Sequence, residues 1–191
     1  MALGEPFETV LAAARTGAQW AVAEMYRDLH PSVLRYLQAQ EPAEAEDLAA
    51  EAWIDVAKGL ARFEGDETHF RRWVFTIAHR RLVDWRRRTI RRRTSPAPPD
   101  ALAEHSPSGD TEAEAMANIS TQAALARIAA LPADQAQVVL LRVLGGFSAS
   151  EVGAIMGRRP GSVRVLQHRA LQRLARDLSS ELVTRQARGA M

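Results

Sequence analysis

The sequence predicts an all-α protein built from two small helical domains joined by an acidic linker, and three observations carry that expectation. Ala, Leu, Arg and Glu, all good helix formers, dominate the 191 residues. Apolar residues recur at helical spacing, whereas the alternation of β-branched residues that marks strands is nearly absent. A Pro-containing stretch without Lys or Arg, residues 94–120, interrupts the helical pattern and divides the chain. An apolar fraction of 47% is enough to fill compact cores on both sides of it.

The first domain is expected over residues 10–93. Trp20, Ala23, Met25, Tyr26, Leu29, Val33, Leu34 and Leu37 fall near i, i+3, i+4, i+7, and Pro31 is expected to start or kink a helix. Beyond Pro42, a second stripe is formed by Ala45, Leu48, Ala52, Ile54, Val56 and Leu60. Residues 63–69 are polar, contain Gly65 and read as a loop. The helix that follows has Phe70, Trp73, Val74, Ile77, Ala78, Leu82 and Trp85 as its buried side. Its arginines lie mostly opposite, until residues 86–93, where they go all round.

The linker carries Pro96, Pro98, Pro99 and Pro107 with the acids Asp100, Glu104, Asp110, Glu112 and Glu114. The second domain, residues 121–178, resumes with Leu125, Ile128, Ala129 and Leu131 before Pro132. A helix over 134–144 offers Val138, Leu141 and Leu144 to the core and ends at Gly145-Gly146. Ser148 and Glu151 fit a reciprocal capping box ahead of Val152, Ile155 and Met156. Gly157 suits a left-handed turn position and Pro160 the first turn of a last helix. Val163, Leu166, Ala170 and Leu174 then face inward.

Charge is segregated rather than abundant. The net charge is only +2, yet residues 41–55 hold six acids and no cation, while residues 71–93 hold ten arginines against Asp84. Such segregation points to different partners for different faces; mutual pairing of the two faces would absorb part of it. The chain has no cysteine, so disulfides, thiolate catalysis and Cys-ligated metals are excluded. No signal-peptide pattern and no apolar run of about 20 residues is present, and a cytoplasmic protein without a membrane segment is expected.

Two stretches carry recognisable chemistry. In the last helix Arg164, Val165, Gln167, His168 and Arg169 point outward near the N-terminus, where a helix-turn-helix meets base edges and phosphates in the major groove. Arginine there reads guanine or binds phosphate, Gln167 suits adenine and Val165 a thymine methyl. A plain helical hairpin with a solvated polar face is the simpler structural reading of the same pattern. The other stretch interleaves Phe63, Phe70, Trp73, Phe75 and Trp85 with Arg71, Arg72, Arg80 and Arg81, a combination suited to single-stranded DNA. Phe63, Phe70 and Trp73 read more simply as core, which leaves Trp85 and the arginines as ligand candidates. Glu44, Glu46, Asp47 and Glu51 share a helical face without a nearby His, which suits a basic partner better than a metal. No phosphate-binding loop and no Ser/His/Asp arrangement is evident, so neither catalysis nor a metal or cofactor is expected.

Three blocks in order resemble the extracytoplasmic-function (ECF) sigma factors of the sigma-70 family. Residues 45–53 (AEDLAAEAW), 63–66 (FEGD) and 70–78 (FRRWVFTIA) resemble their region 2. Leu131-Pro132, Leu141-Arg142, residues 146–148 (GFS), Glu151-Val152, residues 155–157 (IMG) and 161–164 (GSVR) are similar to region 4. The resemblance implies docking of Asp47, Leu48, Glu51 and Trp53 on the β′ clamp helices of core RNA polymerase. It implies capture of the melted non-template strand of a −10 element by the loop with Glu64 and Asp66, and by His79, Arg80, Arg81, Asp84 and Trp85. Arg87 and Arg88, within the cationic tail, would lie on the duplex just upstream. A −35 element would be read by Arg164, Val165, His168 and Arg169, with Arg158, Arg159 and Ser162 near phosphates and the β flap touched as well. An anti-sigma factor is a further implied partner. Arg80 stands where relatives often carry Asn, and Val165 and Leu166 where polar residues are common, so base preferences are not transferred. The alternative is a helix-turn-helix repressor or activator acting on duplex DNA without polymerase, which gives the acidic helix, the aromatic–arginine helix and the linker no role. A nucleic-acid-processing enzyme with an acidic metal site is a third reading.

Overall fold

The computed structural model describes the backbone of residues 6–94 and 112–189, and the side chains of residues 6–92 and 121–179. Two compact units divide the chain, Met1–Pro107 and Ser108–Met191. Among the described residues every regular element is helical, so the fold is all-α.

The first unit contains α1 (Phe7–Arg15), α2 (Gln19–Gln38), a 3₁₀ turn (Pro42–Glu44), α3 (Ala45–Leu60) and α4 (Glu67–Thr94). α3 packs against both α2 and α4, and α1 packs on α2. Met25, Val33, Leu37, Phe70, Val74 and Leu82 meet in the core with almost no exposed surface. Each large apolar side chain so buried contributes about 1.5–3 kcal/mol, which a bundle of this size needs against its chain entropy. Tyr36, also fully buried, satisfies its hydroxyl on His79 Nδ1 at 2.9 Å.

Several expectations are corrected here. α2 runs on through Pro31 rather than starting there, the proline being exposed while the face buried on both sides of it is held on the core. Water can take the carbonyl that the missing N–H leaves open. Ile54 is 53% exposed and so leaves the apolar stripe of its helix, whereas Phe75, one of the aromatics interleaved with the arginines, is fully buried. Trp20 and Tyr26, spaced as core residues, are exposed. The loop before α4 ends earlier than expected, since Asp66 accepts from the His69 amide at 2.9 Å and starts the helix.

The second unit contains α5 (Glu112–Ala129), α6 (Ala133–Leu144), α7 (Ala149–Met156) and α8 (Pro160–Gly189). α5 begins at Glu112, inside the stretch assigned to the linker; the expected prolines at 96–107 lie outside the described residues. α6 is the buried helix, with Val138, Leu140 and Leu141 inaccessible and both α5 and α8 packed on it. The capping box forms as expected: the Glu151 amide donates to Ser148 Oγ and the Ser148 amide to Glu151 Oε2 at 2.8 Å. Gly157 closes α7 at φ 65°, in the left-handed region. Val163 and Ala170 pin α8 to the unit.

Candidate nucleic-acid interfaces and the acidic face

The loop between α3 and α4 and the first turns of α4 build an open depression of about 510 Å³, lined by Gly59, Arg62, Phe63, Glu64, His69, Arg72, Trp73, Thr76 and Arg80. Its apolar wall is an aromatic pair: Phe63 stacks on Trp73 with ring centroids 5.1 Å apart, and Phe70 meets Phe63 edge-on at 5.3 Å. Gly59 permits this, because a Cβ there would stand 2.6 Å from the Trp73 indole. Three arginines and His69 ring the mouth. An aromatic face beside several guanidinium groups is the arrangement that accepts an unstacked base and its phosphates. The sequence placed Phe63 and Trp73 in the core; both are in part wall, and only their juxtaposition with Gly59, invisible in a linear reading, reveals the depression.

Further along α4, Arg81, Asp84, Arg87, Arg88 and Arg91 line a second, cationic hollow of about 390 Å³. Arg80, Asp84, Arg87 and Arg88 are exposed, and Trp85 is half-buried. Arg87 lies 4.0 Å from Asp84, a weak exposed pair. Arg81 differs. It forks onto Asp55 and donates to Glu51 at 3.0 Å, which ties it to α3. The hydrogen bonding it donates to Asp55 is the main reason its guanidinium is held in the charged form even more firmly than usual.

Burial reassigns two of the expected contact residues. Leu48 is 2% exposed and belongs to the core beneath α3, so its side chain is not available to a docking partner. His79 is 7% exposed and bonded to Tyr36, which makes it a core polar residue rather than part of the outward face of α4.

Beside this cationic stretch, α3 presents Asp47 exposed and Glu51 and Trp53 half-buried, with Glu51 facing Arg81 of α4. Trp53 packs on Tyr26 at 4.9 Å, and Tyr26 stacks on His30 at 4.4 Å. Burial raises the Tyr26 pKa, reinforced by the charge of Glu46; burial lowers that of His30 against the same charge. Val22 and Tyr26, which line a hollow together with Trp53, add exposed apolar surface beside it, and Trp20 and Ile54 are exposed as well. Sequence periodicity did not single out that cluster, because the same spacing serves a buried stripe.

In the second unit, Arg158, Arg159, Ser162, Arg164, Val165, His168 and Arg169 are all exposed on the turn before α8 and its first turns. Arg158 is held by Asp134 at 2.6 Å. α7 meets α8 closely: a Cβ on Gly153 would stand 2.6 Å from the Arg158 carbonyl oxygen. Arg142 donates to the Phe147 carbonyl at 2.8 Å and steadies the chain into α7. This is a helix-turn-helix with an arginine-bearing second helix. Among the described residues no group of His, Asp and Glu is arranged to hold a metal ion, and no helix is long and apolar enough to cross a membrane.

The two helical units, one with an aromatic–arginine helix and one with a helix-turn-helix, each correspond to a known protein family profile. The family profiles described as Sigma-70 region 2 and Sigma-70, region 4 match residues 22–93 and 121–174. ECF RNA polymerase sigma factor ShbA of Streptomyces griseus is 35% identical over 167 residues, covering 83% of this chain and 87% of ShbA. ECF RNA polymerase sigma factor SigD of Mycobacterium tuberculosis is 34% identical over 181 residues, covering 90% of this chain and 83% of SigD. The chain belongs to the ECF sigma factors of the sigma-70 family. Among solved structures the fold is similar to RpoE of Bartonella quintana, crystallised with the anti-sigma factor NepR (TM-score 0.62, 21% identity, 82% of this chain and 96% of that one). It is also similar to CnrH in complex with the cytosolic domain of CnrY (TM-score 0.63, 18% identity, 92% of this chain and 99% of that one).

Proposed function

We propose that this chain binds core RNA polymerase, directs it to promoters with defined −35 and −10 elements and assists their melting, without catalysing a reaction itself. The observation that carries this reading is the depression walled by Phe63 and Trp73 and ringed by Arg62, Arg72 and Arg80. A duplex-only repressor has no use for an aromatic-walled hollow beside arginines; a protein that holds flipped bases of an opened strand does. The exposed α8 residues Arg164, Val165, His168 and Arg169 supply duplex readout in the same chain. The family supports the same assignment.

The acidic face of α2 and α3 is the surface for the polymerase clamp helices, with Asp47, Glu51, Trp53 and Ile54 as contacts in place of the buried Leu48. An anti-sigma factor would keep the protein inactive by covering the same exposed apolar residues, and the protein would act in the cytoplasm. Run-off transcription from genomic fragments with purified bacterial core polymerase tests the reading. Discrete new start sites that share upstream elements are expected when the chain is added. Absence of both polymerase binding and new transcripts, with a core enzyme active on a related factor, would move the chain to the duplex-binding regulators.

A further inference from the structure

The loop that walls the aromatic depression is held from outside the region-2 stretch. α1 precedes the residues that the family profile matches, 22–93. It is nevertheless built into the site. Phe7 packs on Phe70 with centroids 5.8 Å apart, and Phe70 in turn contacts Phe63 and Trp73 at 5.3 and 5.8 Å. The last residue of α1, Arg15, donates from its guanidinium to the main-chain carbonyl of Phe63, 48 positions away.

Phe63 is where α3 has ended and the loop begins, its own amide bonded back to the Leu60 carbonyl at 3.1 Å. A carbonyl just beyond a helix end lacks an intrahelical donor, and a charged donor fixes it more firmly than a neutral one. Fixing that carbonyl fixes the direction in which the Phe63 ring leaves the backbone, and so the spacing of the Phe63–Trp73 wall. The rest of the loop follows from Gly65, at φ 146°, whose added Cβ would meet both His69 and Phe63.

We propose that Arg15 is a positioning residue for single-strand capture: it holds Phe63 in the place where the wall of the depression can receive an unstacked base. The inference rests on the proposed use of that depression in −10 recognition. It does not require Arg15 to touch DNA.

The test uses the full chain with Arg15→Ala and Arg15→Lys and has two arms. Hydrogen exchange of the protein alone is expected to accelerate roughly tenfold at residues 61–66 in R15A, the loss of one charge-assisted hydrogen bond. Exchange in α3 and α4 stays unchanged, and R15K restores part of the protection. Holoenzyme reconstituted with core polymerase is then assayed on forked DNA that exposes a single-stranded −10 segment, and on a duplex carrying only the −35 segment. R15A is expected to lose roughly tenfold in affinity for the fork with unchanged duplex and core binding. Unchanged exchange at 61–66 overturns the positioning role. Faster exchange with wild-type fork affinity overturns its link to strand capture. Wild-type holoenzyme that fails on the fork but binds core sinks the −10 reading of the depression instead, and the exchange arm alone then decides what Arg15 does.

Discussion

Arg81 and Asp55 lock α4 to α3: Arg81 Nε donates to Asp55 Oδ2 at 2.7 Å, its Nη2 donates to the same oxygen, and its Nη1 reaches Glu51 Oε2 at 3.0 Å. A cation assigned to DNA and a carboxylate assigned to polymerase thus share one network before either partner arrives. The two side chains of the main pair are 30% and 31% exposed, so the network is partly screened and its stability value is modest, about 1 kcal/mol.

Asp55→Asn is therefore expected to cost the protein little stability while freeing Arg81 toward phosphate. Fluorescence anisotropy with a single-stranded −10 oligonucleotide should show tighter binding than wild type. The dependence of affinity on salt should steepen by about one phosphate contact. Equal affinity and equal slope would place Arg81 outside the DNA contact set and leave it a purely structural clamp.

His79 and Arg80 are neighbours in sequence with opposite expectations. Tyr36→Phe removes the hydroxyl that meets His79 Nδ1 in the core and should lower unfolding free energy by about 1–3 kcal/mol. Arg80→Ala, at an exposed position, should change stability by less than about 0.5 kcal/mol and instead weaken single-strand binding. Urea unfolding and anisotropy on the same preparations separate the two. A large DNA defect in a Tyr36→Phe protein that unfolds like wild type would return His79 to the contact surface.

The parts legible in the sequence are those set by near neighbours. The capping box of Ser148 and Glu151, the left-handed Gly157 and the N-terminal Pro160 are local chemistry, and each appears where expected. The all-helical class follows from composition and period in the same way. What the sequence hid depends on contacts far along the chain. Arg81 meets Asp55 26 residues away, and Arg86 meets Glu41 across 45. No linear pattern tells which arginines of a cationic helix are neutralised at home. Leu48 shows the other side of this: its apolar spacing placed it in the core, where it lies, and only the resemblance put it on the docking surface. Pro31 does not start a helix for the converse reason: its local rule is sound, but tertiary packing holds α2 through it.

Asp66 gives the loop before α4 a pH signature. Hydrogen bonds from the His69 backbone amide and then its side chain lower the Asp66 pKa below the ordinary 3.8. A depressed folded value means that the cap contributes fully above the ordinary aspartate range and is lost as pH falls through the folded value. At neutral pH the contribution is complete. NMR titration of the carboxyl group should give a midpoint below that of an unfolded peptide. Asp66→Asn, which still offers an acceptor to the His69 amide, should abolish the acid-induced loosening of residues 66–69. A midpoint at or above the peptide value would contradict the capping geometry.

The helix-turn-helix contains two glycines, Gly153 within α7 and Gly157 at the turn, that are there for different reasons, and alanine separates them. At Gly157 nothing lies within 4 Å of an added Cβ, so Gly157→Ala pays only for φ 65°, about 1–2 kcal/mol. At Gly153 the backbone is ordinary helix, but the new Cβ would stand 2.6 Å from the Arg158 carbonyl oxygen. Backbone cannot step aside as a flexible side chain does, so Gly153→Ala must push α7 away from the turn, at a cost of about 1–3 kcal/mol. The consequences for DNA differ as well. Gly157→Ala keeps the α7–α8 spacing and should preserve −35 binding once the protein is folded. Gly153→Ala shifts the turn that carries Arg158 and Arg159 and should weaken duplex binding even under conditions where the unit is fully folded. Thermal melts followed by duplex titration below the melting transition measure both. Equal duplex affinity for the two variants would mean that the turn yields without moving the recognition helix.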